Sequence, residues 1–353
     1  MAACLYDEDG GFFATGPLRS TKDGDFLTSP EVSPWFGRML GRFVAGEQVR
    51  TGADPFMVAE VGAGSGSLLG PLIEEVASAV VPPAGGRGDA EERSDDAGGQ
   101  RYDFHAVEAS PAARGALGEL IGGDRVHGSL DDLPERFDGV ILANELLDNL
   151  PVALAIRSGD GWVERWVGAT DDRFGFVTMA AKPDVVAWCD AHAGTVPEGG
   201  MVEVQLAATA WVRDALGRIN RGSLVIIDYG GTAEELEPRR TQGTLRTYRS
   251  HHLGPDPLLE PGATDVTVDV NFTAMAAAAA DAGASVEVRR QDDFLADLGL
   301  RGIVSDLRHR ERDLARSGDA MERLIIRSEA TDAETLLHPR GLGDFRVMIA
   351  TTT

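Results

Sequence analysis

Val58-Ala59-Glu60-Val61-Gly62-Ala63-Gly64-Ser65-Gly66 decides the fold. An apolar run ends in an acid and opens into a G-x-G-x-G loop. Leu68-Leu69 and Pro71-Leu72-Ile73 follow in a pattern that can open a helix. Strand, glycine turn and helix in that order make the nucleotide-binding unit of a doubly wound α/β sheet. Glycine lets the backbone approach a ligand that a side chain would exclude. The helix N-terminus behind the loop offers free N–H groups and a dipole that favours an anionic group.

The spacing narrows the ligand. A dinucleotide loop needs glycine at position 67, but Ser67 stands there and the third glycine falls at Gly66. The tighter loop, led by Glu60, resembles motif I of S-adenosyl-L-methionine (SAM)-dependent methyltransferases. That resemblance implies SAM as cofactor, with Glu60, Gly62, Gly64 and Gly66 at its site. The competing reading is a βα turn without a ligand, in a chain with 43 glycines.

Outward from the loop, residues 56 to 61 read as the first strand and 67 to 80 as its helix. Residues 82 to 101 hold no apolar side chain beyond proline and alanine. Such a segment cannot offset its ordering entropy by burial, so it is expected to be a disordered surface loop. Tyr102 to Val107 is the second strand, closed by Glu108. An acid at that tip suits a ribose diol, or caps the helix that begins at Ser110-Pro111. Arg125 to His127 is a short third strand, and Ser129 and Leu130 lie in its loop, which in a SAM fold faces the adenine. Phe137 to Leu142 is the fourth strand, ending in Ala143-Asn144-Glu145-Leu146-Leu147-Asp148.

Beyond it, residues 151 to 200 alternate around Ser158-Gly159-Asp160-Gly161 and read as an antiparallel β insert. A helical period runs from Val202 to Ile219, and Ser223 to Ile227 is the fifth strand, ending in Asp228-Tyr229-Gly230. Residues 240 to 330 are expected to form a largely helical substrate-side region, irregular to about residue 268. Within it, Val286 to Val288 is a strand and Asp292 to Leu300 a short helix. Phe345 to Ala350 closes the sheet, and residues 1 to 50 form an N-terminal helical lid segment. The pattern fits a single domain over 1 to 353: an α/β, Rossmann-like sheet with a β insert and extra helices.

Composition excludes several classes. The net charge is −24, which argues against a nucleic-acid partner, since neutralising phosphates needs clustered Lys and Arg. A cationic substrate would be steered toward an acidic cleft, while most of the charge is read as solvated surface. There is no run of 18 apolar residues, hence no expected membrane insertion, and no signal-peptide pattern at the N-terminus. Two cysteines and seven scattered histidines give neither a disulfide framework nor a metal set. A reducing cytoplasm is the expected location.

Four further stretches specify a family. They are Gly24-Asp25-Phe26-Leu27-Thr28-Ser29-Pro30-Glu31, Ala143 to Asp148, Gly243-Thr244-Leu245-Arg246, and Pro261-Gly262 with Asp265-Val266-Thr267-Val268-Asp269-Val270-Asn271-Phe272. In this order, with Gln291 to Gly299, they resemble the MidA-like family of SAM-dependent methyltransferases. That family includes the mitochondrial assembly factor of respiratory complex I, a protein-arginine methyltransferase. The family's G-P-G-R-G loop is Gly62 to Gly66 here, and its D-V-D-F is Asp269-Val270-Asn271-Phe272. Its first helix is expected to be incomplete in this chain.

The resemblance implies methyl transfer to arginine of a partner protein, such as a complex I subunit. A small-molecule methyltransferase and a SAM-binding assembly chaperone without turnover remain as alternatives. Methyl transfer is an in-line displacement in which the enzyme orients donor and acceptor and a proton must leave. A carboxylate can hold a guanidinium in bidentate fashion. Glu145 and Asp148 sit at the end of the fourth strand, three apart, and so share a face on a helical turn. Glu145 is the candidate orienter of the guanidinium and Asp148 its partner, with a cap or salt bridge equally open for Asp148. Asn144 is expected at the cofactor's methionine part. Thr28, Ser29 and Glu31 are candidates for a lid over the cofactor, with an N-cap as the competing reading. His251 is a minor candidate for the substrate side.

Overall fold

Every residue of Phe56–Val61 is buried, because this strand lies mid-sheet with both faces covered. It pairs in parallel with Tyr102–Val107 on one side and Phe137–Asn144 on the other. The computed structural model describes residues 1–7, 9–13, 28–80, 102–170, 173–249 and 252–353. The expected disordered loop at 82 to 101 and the candidate His251 lie outside them.

Seven strands form the central sheet. After the first, second and fourth come the third, Val126–His127, the fifth, Ile219–Asp228, the sixth, Ser285–Arg290, and the seventh, Arg346–Thr352. Their spatial order is sixth, seventh, fifth, fourth, first, second, third. Only the seventh runs antiparallel, between the fifth and the sixth. The chain winds outward in both directions from the first and fourth strands, so the crevice at their carboxyl ends is the topological switch point where such sheets bind ligands.

Period-two alternation splits the core into two layers. Val58, Val140, Leu142, Val225 and Ile227 face the helices Trp35–Thr51 and Leu69–Val80. Ala59, Val61, Ile141, Ala143, Leu224 and Ile226 face the helices Leu206–Gly217 and Phe272–Asp281. A buried Val or Leu side chain is worth roughly 1.5–3 kcal/mol, so these strands fix the register on which the site depends.

The structure corrects three expectations. Met201–Val204 is a strand, antiparallel to Ala153–Ile156, and the helix begins only at Leu206. Val202 and Val204 alternate into the core, and a four-residue alternation is too short to separate from a helical period. This strand completes a four-stranded sheet with Ala153–Ser158, Gly161–Thr170 and Arg173–Ala180. Second, the stretch read as irregular up to about residue 268 carries short strands. Arg246–Arg249 pairs with His252–Leu253 and Asp265–Thr267 before the helices begin. Third, Gln291–Asp297 ends before a separate helix, Leu300–Ser317, at Gly299 with φ +99°.

Candidate functional site

The glycine turn is built as its composition requires. Gly62, Gly64 and Gly66 have φ of +75°, +51° and +80°, a region that costs other residues energy. Gly62 N–H donates to Val107 O at 2.8 Å, which ties the turn to the end of the second strand. A Cβ on Gly62 would meet Leu146 Cδ1 at 3.1 Å, and one on Gly66 would meet Leu120 and Leu117 at 3.1 and 3.2 Å.

Of the two roles left open for Glu108, the helix-cap one is built in the structure. Its Oε2 accepts from Gly64 N–H at 2.8 Å and its Oε1 from Ser110 N–H at 2.7 Å, at the start of the helix Pro111–Ile121. It also lines a cavity of about 770 Å³ above the carboxyl ends of the strands. Thr28, Gly62, Gly64, Ser129, Leu130, Glu145 and Asp148 line the same cavity. Ser129 Oγ accepts from Asp131 N–H at 3.2 Å, so the loop is capped into a fixed shape.

Other candidates lie behind the wall. Glu60 is buried on the helix side and accepts a hydrogen bond from Leu69 N–H. Burial, then the nearby Glu108 charge, raises its carboxyl well above the ordinary range. Gly66 packs against the helix rather than the cavity. Ser29 and Glu31 are buried, and Gln291 Nε2 donates to Ser29 Oγ at 3.2 Å. Thr28 and Glu31 form a capping box for the Ser29–Val32 turn. Asn144 ends the fourth strand with its Nδ2 3.4 Å from Glu145 Oε1, and its buried Oδ1 has no hydrogen-bond partner among the described residues.

Glu145 is the only non-glycine residue at positive φ among the described residues, at +48°. Its N–H donates to Ile227 O at 2.8 Å, which turns the chain out of the sheet while the side chain enters the cavity. Burial, then the Asp148 charge, pushes its carboxyl up to about 8; Glu31 adds to the rise. Hydrogen bonds from Asn144 and from Ser29 N–H only partly offset this. Ser29 thus brings the N-terminal segment onto Glu145.

Asp148 is held from below. Tyr229 O–H donates to its Oδ2, and Thr267 Oγ1 donates to the same oxygen at 2.6 Å. Burial raises its carboxyl despite these bonds. Asp228, fully buried at the end of the fifth strand, accepts from Leu147 N–H at 3.0 Å, Asp148 N–H at 3.3 Å and Tyr229 N–H at 2.9 Å. Its own carboxyl is raised well above the usual range by burial, then by Asp148 and Glu145.

Sequence reasoning missed Tyr6, Asp228, Tyr229, Arg239, Arg246, Asp265 and Asp269 as parts of the site. All but Asp228 line the cavity. One signal was available: Asp228 ends the fifth strand just as Glu60 and Glu108 end theirs or nearly so. Among the described residues, six carboxyl side chains (Glu108, Glu145, Asp148, Asp265, Asp269, Asp344) and two guanidiniums (Arg239, Arg246) line the cavity. A carboxyl-rich pocket favours a cationic ligand.

Comparison with known proteins agrees with this geometry. The chain is 27% identical over 333 residues to the mitochondrial protein arginine methyltransferase NDUFAF7 of Homo sapiens, covering 85% of this chain and 69% of that protein. The NDUFAF7 homolog of Drosophila melanogaster is 27% identical over 305 residues, covering 77% of this chain and 63% of that protein. The chain therefore spans about two thirds of the length of these relatives. A Burkholderia thailandensis protein solved with S-adenosyl-homocysteine bound superposes with a TM-score of 0.81 at 29% identity, over 99% of this chain and 86% of that one. A native crystal structure from the same organism gives a TM-score of 0.78 at 30% identity, over 99% and 85%. The family model described as "Putative S-adenosyl-L-methionine-dependent methyltransferase" matches residues 39–289, and the chain belongs to that family.

Proposed function

We propose that this chain transfers a methyl group from SAM to an arginine of a partner protein. The observation that carries the reading is Glu145: a carboxyl in a left-handed turn at the switch point, beside the glycine turn, in a cavity where carboxyls outnumber guanidiniums six to two among the described residues.

The residues present fit the cofactor. Gly62 and Gly64 leave room for close backbone approach, and Glu108 faces their turn from the second strand, where a carboxylate suits a ribose diol. Ser129 and Leu130 would flank the adenine, and the buried Asn144 Oδ1 awaits a donor beside Glu145. Bound there, SAM supplies an electrophilic methyl group on a sulfonium.

The chain's own residues do the rest. A guanidinium entering the cavity donates to Glu145, which aligns one nitrogen for in-line attack. As the N–C bond forms and the C–S bond breaks, that nitrogen must lose a proton. The cation that enters beside Glu145 favours the carboxyl's ionised form, and that carboxylate then takes the proton. Asp148, held by Tyr229 and Thr267, stands behind Glu145 and raises its proton affinity without needing to touch the acceptor. For the acceptor protein, the family resemblance supplies a respiratory complex I subunit as candidate.

Incubation with methyl-labelled SAM and cell lysate tests this. Label recovered on protein, at methylarginine, is expected. Label confined to small molecules would replace the acceptor class, and no incorporation at all would contradict turnover.

A further inference from the structure

Two of the sequence stretches that specified the family meet on the cavity wall. Asp269 is 2% exposed, and both its oxygens are taken: Arg239 Nη1 donates to Oδ2 and Arg246 Nη2 to Oδ1. One guanidinium would neutralise that carboxylate. The second leaves one positive charge in excess, in a cavity whose remaining charged lining groups among the described residues are all carboxyls.

The pair is rigidly mounted and open to the cavity. Asp269 N–H donates to Thr244 Oγ1 at 3.1 Å, and its carbonyl accepts from Gln205 Nε2 at 2.9 Å. The side chains of Arg239 and Arg246 nonetheless keep 51% and 36% of their exposure. A guanidinium has five N–H donors in a planar fork, and Asp269 takes a single nitrogen of each. Arg246 lies 5.9 Å from the Tyr229 ring, and the Tyr229 hydroxyl donates to Asp148. A single side chain therefore separates the cationic pair from the acids that would receive a guanidinium.

We propose that Arg239 and Arg246 form an anion-binding subsite that reads a carboxylate or phosphate carried by the methyl acceptor close to its guanidinium. The inference rests on the guanidinium-acceptor reading above and adds what that reading lacks, a means of choosing among arginines. A planar fork pair matches the oxygen geometry of either anion. An acceptor arginine flanked by cations would meet repulsion at the same point.

Four peptides test this, each with one central arginine and one flanking position occupied by Glu, phosphoserine, Gln or Lys. Binding to the protein loaded with S-adenosylhomocysteine is read by fluorescence anisotropy, and transfer by labelled SAM. The Glu or phosphoserine peptide is expected to bind about tenfold or more tighter than the Lys peptide, and their comparison tells carboxylate from phosphate. In Arg239→Gln and in Arg246→Gln the preference should collapse, while Arg246→Lys keeps part of it. Each single variant leaves Asp269 one guanidinium, and a melting scan checks that it folds. Equal binding of all four peptides, or no binding by any, overturns the subsite. A tenfold loss of S-adenosylhomocysteine affinity in Arg246→Gln gives the pair to the cofactor and also overturns it. A binding preference without methylation leaves the subsite standing and contradicts the proposed activity; methylation without preference does the reverse.

Discussion

Glu145 occupies a backbone conformation that costs a non-glycine residue roughly 1–2 kcal/mol, and the fold holds it there through its N–H bond to Ile227. Its carboxyl titrates near 8 rather than 4.5, so between those values the folded chain keeps a proton that the unfolded chain has lost. The stability from the neutral form is full below the lower value and disappears as pH rises through the upper one. Glu145→Gln should therefore raise the melting temperature over wild type more at about pH 9 than at about pH 5, and an equal gain at both would contradict the raised proton affinity. Asp148 is a different case. Asp148→Ala leaves two hydroxyls, on Tyr229 and Thr267, without their acceptor, and should cost about 2–4 kcal/mol in a urea titration. A cost below about 0.5 kcal/mol would mean those bonds contribute nothing net. The residue types at positions 145 and 148 were legible in the sequence. The positive φ and the raised proton affinity were not, because both arise from contacts with residues far along the chain, such as Ile227 and Ser29.

At the scale of elements, the turn after the fourth strand is the part most dependent on a neighbour. Asp228 gathers three N–H groups, two of them from that turn. Asp228→Ala should cost roughly 2–4 kcal/mol, and methyl transfer should fall further than S-adenosylhomocysteine affinity, because the turn carries the acceptor side. Equal losses in both would place the turn under the cofactor instead. The first and second strands were readable to the residue, because Phe56–Val61 is an almost unbroken apolar run before the glycine turn and Tyr102–Val107 alternates apolar with Asp103 and His105 between a polar segment and Glu108. Met201–Val204 was not readable, because its alternation is too short to distinguish from the helix that follows. Nor was the Arg239–Asp269–Arg246 triad, whose members stand 30 and 23 positions apart and meet only through the folding of the region after residue 240.

The whole molecule adds a field. A chain of net charge −24, with a cavity lined by more carboxyls than guanidiniums, should draw cationic acceptors electrostatically. Raising the salt from about 50 to about 500 mM should raise the KM for an arginine peptide several-fold and change kcat little, since screening weakens capture more than short-range alignment. A KM indifferent to salt would remove the field from the mechanism. The fold class was legible from one glycine turn in its strand–helix setting, but the strand order was not. Order depends on which crossovers bury the most surface, and single-sequence periodicity does not carry that information.

The central claim is that Glu145 receives the acceptor in a cofactor site built by the glycine turn. Its most direct test is a paired measurement on wild type and Glu145→Gln. Calorimetry reads S-adenosylhomocysteine binding, and mass spectrometry reads methylarginine formed on the acceptor. Cofactor affinity within about twofold of wild type is expected, with transfer reduced by about a hundredfold or more, since a charge-assisted bond worth roughly 1.5–3 kcal/mol and the proton acceptor are lost together. Transfer at the wild-type rate in a folded Glu145→Gln protein would contradict it.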